Sequence, residues 1–159
     1  LVVYGMGEAN IVEIARRLAA GKGVKELRDL RGVAYALGAR ESEEWKDPSN
    51  LPRELYPSAL VPSFEQVKAD KLAFAEATRI IHHNTNPFNA IRLVQFHDRQ
   101  AVVQNPPAFP LSQEEMDSIY DFPYSRRPHP LYRDPIPAFE MIKDSITNIR
   151  GCFGGCTFC

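Results

Sequence analysis

Thirteen of the 159 residues are proline, against an average near ~5%, and their placement decides where regular structure can exist. Proline has no amide hydrogen and a fixed φ, so it interrupts helix interiors and central strands. None precedes Pro48. Pro48, Pro52, Pro57 and Pro62 then break residues 41–62 into a crossing loop, and Pro87 closes the segment that follows. Pro106, Pro107 and Pro110 end a second permissive stretch, and Pro123, Pro128, Pro130, Pro135 and Pro137 mark an extended linker. Regular elements therefore belong in 1–40, 63–86 and 88–105, with short pieces after Ser112.

The apolar patterns inside those windows predict the elements. Leu1–Tyr4 is β-prone and turns at Gly5-Met6-Gly7-Glu8. Asn10 with Glu13 has the spacing of a capping box, and Ile11, Ile14, Ala15 and Leu18 share one face of the helix that follows. Gly21 and Gly23 stop it, Val24–Leu30 is a short turn or helix, and Val33–Leu37 reads as a strand. Strand, helix and strand on this scale suggest a βαβ unit and a locally parallel sheet. Ser63 with Gln66 opens a helix to about Ile81, with Val67, Phe74, Ala77 and Ile81 on one face. Ile91–Phe96 and Ala101–Gln104 flank His97-Asp98-Arg99-Gln100 as a hairpin. Ser112 with Glu115 caps a helix to about Tyr120, Ala138–Lys143 fits one helical turn, and Ser145–Ile149 reads as a final strand.

Composition excludes several classes. A net charge of −1 gives no basic field for nucleic acid and no attraction to an anionic membrane. No apolar run nears the ~18 residues of a membrane span, and no signal peptide is legible. All three cysteines are Cys152, Cys156 and Cys159. Such clustering is unlike a secreted disulfide framework and suits a reducing cytoplasm. The chain opens at Leu1 without an initiator Met and closes on a cysteine, so we read it as a piece of a longer protein.

Those cysteines form a C-x-x-x-C-x-x-C array in Arg150-Gly-Cys-Phe-Gly-Gly-Cys-Thr-Phe-Cys159. Three thiolates on a glycine-bearing loop converge on one soft metal centre. Spacing does not name the metal. Both gaps lie in the range of zinc ligands, and a structural zinc would need a fourth donor, for which His129 is the only nearby histidine. Three ligands with an open position instead describe a reactive centre.

The array, with Phe158 before the third cysteine, resembles the signature of the radical S-adenosylmethionine (radical SAM) superfamily. The longer string, together with Asn105-Pro106-Pro107, Pro110-Leu111, Glu115-Met116-Asp117, Tyr120, His129-Pro130 and Ile136-Pro137-Ala138, is similar to the YgiQ-type branch. That resemblance implies that Cys152, Cys156 and Cys159 each ligate one iron of a [4Fe–4S] cluster. The fourth iron is left to S-adenosyl-L-methionine, whose reductive cleavage yields a 5′-deoxyadenosyl radical. It also implies an electron donor of the reductase or flavodoxin type, and solvent exclusion by Phe153 and Phe158. The fold class it implies is α/β. Residues 1–40 would be the C-terminal part of a Rossmann-like, cobalamin-binding-type domain with its βαβ unit. Residues 41–130 would form a family-specific α+β region of helix, hairpin and linker. Residues 131–159 would begin the radical SAM core, with the first strand of a partial (β/α) barrel. The substrate-binding chamber would lie downstream, so the isolated piece is expected to be inactive, and its substrate is not legible. The alternative is a binding or scaffold module holding zinc through the three cysteines and His129.

Weaker signals favour structural roles. Gly5-Met6-Gly7 is a partial dinucleotide fingerprint with Asn10 at the third glycine position. His82 and His83 point about 100° apart on a helix end, which suits a solvated cap better than a chelate. Glu43, Glu44, Arg28, Asp29 and Arg31 read as a solvated surface.

Overall fold

The computed structural model describes residues 1–146, and the cysteine array lies outside them. The chain divides into two compact units, Leu1–Ser112 and Gln113–Cys159.

In the first unit, five strands among the described residues form one open mixed sheet: β1 (Val2–Val3), β2 (Val33–Leu37), β3 (Ser58–Val61), β4 (Arg92–His97) and β5 (Gln100–Gln104), in the order β1-β2-β5-β4-β3. Its helices are α1 (Glu8–Ala19), α2 (Ala39–Glu43), α3 (Phe64–Ala69) and α4 (Lys71–His83), with 3₁₀ turns at Val24–Leu27, Glu44–Lys46 and Pro48–Asn50. The architecture is α/β, but the expected parallel pairing near the N-terminus does not form. β1 pairs antiparallel with β2, matching Val2 with Ala34 and Val3 with Val33. The connection from Ala20 to Gly32 is long enough to reverse the chain a second time, and apolar periodicity carries no strand direction. The one parallel pair among the described strands is β3 with β4, joined through α3 and α4. The βαβ unit therefore lies at 58–97.

The hairpin forms as expected. β4 and β5 pair antiparallel from Leu93–Gln104 to His97–Gln100, and Asp98 takes a left-handed backbone, φ 52°, which Asp tolerates better than most residues. β3 is the strand that the prolines concealed. Pro57 and Pro62 bracket it, and proline is tolerated where a strand ends or lies at a sheet edge.

Strand alternation sorts the core onto two faces. Val94, Val103, Tyr35, Leu37, Ala101 and Leu51 form one cluster, against which Trp45, Leu60 and Phe96 pack. Leu93, Val61 and Ala77 form another, with Ala59, Val67, Ile80 and Ile91. β4 is thus covered on both sides, whereas Val102 of β5 is 49% exposed. Each fully buried valine, such as Val94, is worth about 1.5–3 kcal/mol of transfer free energy.

Local helix signals fared unequally. Ser63 and Gln66 make both bonds of their capping box. The helix they start ends at Ala69, because Asp70 is extended and its carboxylate caps α4 at the Leu72 amide. The break rotates the stripe on α4: Ala77 and Ile80 pack on the sheet, while Phe74 and Ile81 remain largely exposed. Asn10 caps nothing. α1 begins at Glu8, Asn10 donates to the Arg31 carbonyl at 2.8 Å, and Glu13 pairs with Arg16 and Arg17. Ile14 is the buried member of the expected α1 stripe, and Ile11 and Leu18 face solvent.

The second unit contains α5 (Gln113–Tyr120), a proline-rich loop and α6 (Pro137–Ile142), with Pro137 in the first helical turn, where its missing amide hydrogen costs nothing. The Ser145 amide and hydroxyl both donate to the Ile142 carbonyl and close α6. Of the strand expected at Ser145–Ile149, Ser145 and Ile146 lie in no strand, and the rest, with the barrel it would begin, falls outside the described residues. No helix among the described residues is long and apolar enough to cross a membrane.

Candidate functional site

The Asn-Pro-Pro string at the end of β5 is organised around a wholly buried side chain. Asn105 has no exposed surface. Its Nδ2 donates to the carbonyls of Arg28 at 2.8 Å and Leu30 at 2.7 Å, and its Oδ1 accepts from Arg92 Nε at 3.0 Å. Its backbone amide donates to the Val33 carbonyl, and its carbonyl accepts from the Tyr4 hydroxyl. One residue thereby ties β1, the 28–33 turn, β2 and β4 together. Pro106 carries the clamp onward, its carbonyl accepting from Gly32 N at 2.7 Å. Burial raises the Tyr4 pKa, with smaller opposing contributions from Gln104 and Arg31, which keeps the donor protonated.

Arg31 is not the solvated residue that its neighbours suggest. Its Nε donates to the Pro107 carbonyl at 2.9 Å and its Nη2 to the Pro87 carbonyl. The guanidinium lies 4.1 Å from the Phe109 ring centroid and 5.8 Å from that of Tyr56. Arg92, 5% exposed, sits over the other part of the same system, 5.2 Å from the Tyr56 ring. Burial also raises the Tyr56 pKa. Arg28 is partly buried too, donating to the Ala36 carbonyl and stacking over Tyr35. Sequence reasoning missed this role for the arginines. Charged residues next to a glycine read as surface, and the carbonyls that Arg31 serves are contributed by turns 56 and 76 residues away.

Of the weaker candidates, Gly5 takes φ 72° in the turn before α1, a conformation that explains glycine there without a ligand. His82 and His83 occupy the last turn of α4 with ring centroids 6.0 Å apart. Among the described residues, no group of three or more His, Cys, Asp or Glu is arranged to hold a metal. Glu41 accepts from Lys25 and Arg28, which hold its carboxyl down at about 2.

In the second unit, His129 is exposed. Its Nδ1 accepts from the Leu131 amide at 3.3 Å and its carbonyl accepts from the Tyr132 amide, so Nε2 is the ring nitrogen left for any other ligand. A cavity of about 440 Å³ lies against α6, lined by Arg126, Arg127, Pro128, Ile136, Phe139, Ile142, Lys143 and Ser145. Cys152, Cys156, Cys159 and Phe158, the residues expected to carry the chemistry, lie outside the described residues.

With that geometry established, three findings relate the chain to known proteins. A family profile described as Radical SAM N-terminal matches residues 1–145. The chain is 46% identical to a UPF0313 protein of Rhodopseudomonas palustris and 43% identical to one of Methanosarcina acetivorans. It is 38% identical to the UPF0313 protein YgiQ of Escherichia coli K12. In each case the whole of this chain is covered, but only 25%, 23% and 28% of the relative; the chain spans about a quarter of the length of the curated relatives it matches. No solved structure matches it.

Proposed function

The chain belongs to the radical SAM N-terminal family, and from that membership we propose that it is the amino-terminal part of a YgiQ-type radical SAM enzyme. The observation that carries the reading is the three-cysteine array at 152–159, which follows directly on the family-matched residues 1–145. The donor set fits a [4Fe–4S] cluster. Three thiolates, with no other cysteine in the chain, satisfy three irons and leave one open, whereas a closed tetrahedral zinc would need a fourth donor such as His129. When bound, the cluster and S-adenosyl-L-methionine supply a one-electron cleavage that delivers a 5′-deoxyadenosyl radical to a substrate.

The chain's own residues have narrower tasks in this reading. Cys152, Cys156 and Cys159 hold the metal. Gly151, Gly154 and Gly155 let a short loop wrap it. Phe153 and Phe158 would exclude water from the bound cofactors. Residues 131–159 would begin the radical SAM core. An electron donor of the reductase or flavodoxin type completes the system.

Anaerobic reconstitution of the intact protein tests this. The expected product is a reducible [4Fe–4S] centre whose electron paramagnetic resonance signal changes when S-adenosyl-L-methionine is added. Stoichiometric zinc without iron in the purified protein would overturn it.

A further inference from the structure

The cavity against α6 has a chemical character that the cysteine array does not account for. It is an open depression whose lining joins three exposed cationic side chains, Arg126, Arg127 and Lys143, to the partly buried Pro128, Ile136 and Phe139 and the largely exposed Ile142. Lys143 Nζ is 2.8 Å from Glu140 Oε2, so one of the three charges is already offset, and among the described residues the lining carries about two further positive charges. That matches a dianion better than a carboxylate. The volume of about 440 Å³ falls in the range of small-molecule sites, roughly 300–1,000 Å³. The backbone is bent to build it: Arg126 adopts φ 52°, a left-handed conformation that a side-chain-bearing residue rarely takes and that is often held where a site needs it. Adjacent guanidiniums also offer planar, multidentate donors, the arrangement that best engages phosphate oxygens.

We propose that this cavity is a binding site for a small phosphate monoester with an aromatic or otherwise planar body. The phosphate would engage Arg126, Arg127 and Lys143, and the ring would lie on Phe139 and Ile142. Ser145, at its edge, is only seven residues before Cys152, a reach of at most about 25 Å.

The probe is phenyl phosphate, titrated into the 159-residue chain and followed by isothermal titration calorimetry, with inorganic phosphate and benzyl alcohol in parallel. Phenyl phosphate is expected to bind saturably, inorganic phosphate about tenfold more weakly, and benzyl alcohol not at all. Arg126→Gln and Arg127→Gln should each weaken phenyl phosphate about tenfold. Phe139→Ala should remove the advantage of the ring and leave inorganic phosphate unchanged. Arg53→Gln, an exposed arginine of the other unit, should change nothing. Circular dichroism of each variant separates lost binding from lost structure, and Arg126→Gly supplies a second variant that removes the side chain while easing the backbone. Absence of saturable binding, equal binding of phenyl and inorganic phosphate, or an equal loss in Arg53→Gln would each overturn the proposal.

Discussion

Asn105→Ala is the sharpest test of how the first unit is held together. The substitution removes three side-chain hydrogen bonds at 2.7, 2.8 and 3.0 Å. Two join neutral partners and are worth about 1 kcal/mol each, while the one from the Arg92 guanidinium is worth about 1.5–3 kcal/mol. The Arg92 loss is felt in full. That side chain is buried, and its other recorded contacts are a 3.5 Å bond to the Pro52 carbonyl and the Tyr56 ring. The total is about 4 kcal/mol, a large share of the 5–15 kcal/mol that typically separates folded from unfolded. At a urea slope of about 1.5 kcal/mol per molar, the midpoint should fall by about 2.5 M. Trp45 is the sole tryptophan and packs on the larger core cluster, so its fluorescence reports the unfolding of this unit. A loss no larger than that of an ordinary surface change, about 0.5 kcal/mol, would refute the assignment of Asn105 as the central clamp.

Other outcomes follow from the same geometry. Gly32→Ala should cost roughly 2 kcal/mol or more in the same assay. Gly32 sits at φ 66°, and a new Cβ would meet Asn10 Nδ2 at 2.7 Å and the Ala108 backbone nitrogen at 3.2 Å. The Glu41 carboxyl is held at about 2, below its ordinary 4.5, by hydrogen bonds from Lys25 and then Arg28. Its folded pKa is depressed, so its contribution is present above pH 4.5 and is lost as the pH falls towards 2. Urea midpoints across that window should slope less steeply in Glu41→Gln than in the parent. His129→Ala should leave iron and sulfide content unchanged after reconstitution, whereas a fall in bound metal would favour the four-ligand zinc arrangement.

The comparison of sequence with structure separates local chemistry from long-range choice. Several signals that act within a few residues were legible, although the Asn10–Glu13 capping box does not form. The Ser63–Gln66 capping box forms both its bonds, the 91–104 segment makes its hairpin, and the helical turn expected at Ala138–Lys143 forms as α6. Signals requiring distant partners were not. The direction of β1 relative to β2 leaves no mark on apolar spacing. The strand at 58–61 was hidden because its prolines are harmful only inside a central strand. Asp70 could equally extend a helix or break it, and the sheet beneath α4 favours the break that brings Ala77 and Ile80 inward.

By itself, then, the sequence determined the three-cysteine array, the 91–104 hairpin and the family. Each depends on residue identity and spacing over a short stretch. The tertiary structure decided the mixed sheet order, the burial of Arg92 beneath Tyr56, and the conversion of Asn-Pro-Pro from a linker into the point where β1, β2, β4 and β5 are joined. The reason is physical: a buried amide must find partners wherever the fold presents them. For Asn105 those partners, Arg28 and Leu30, lie more than seventy residues away along the chain.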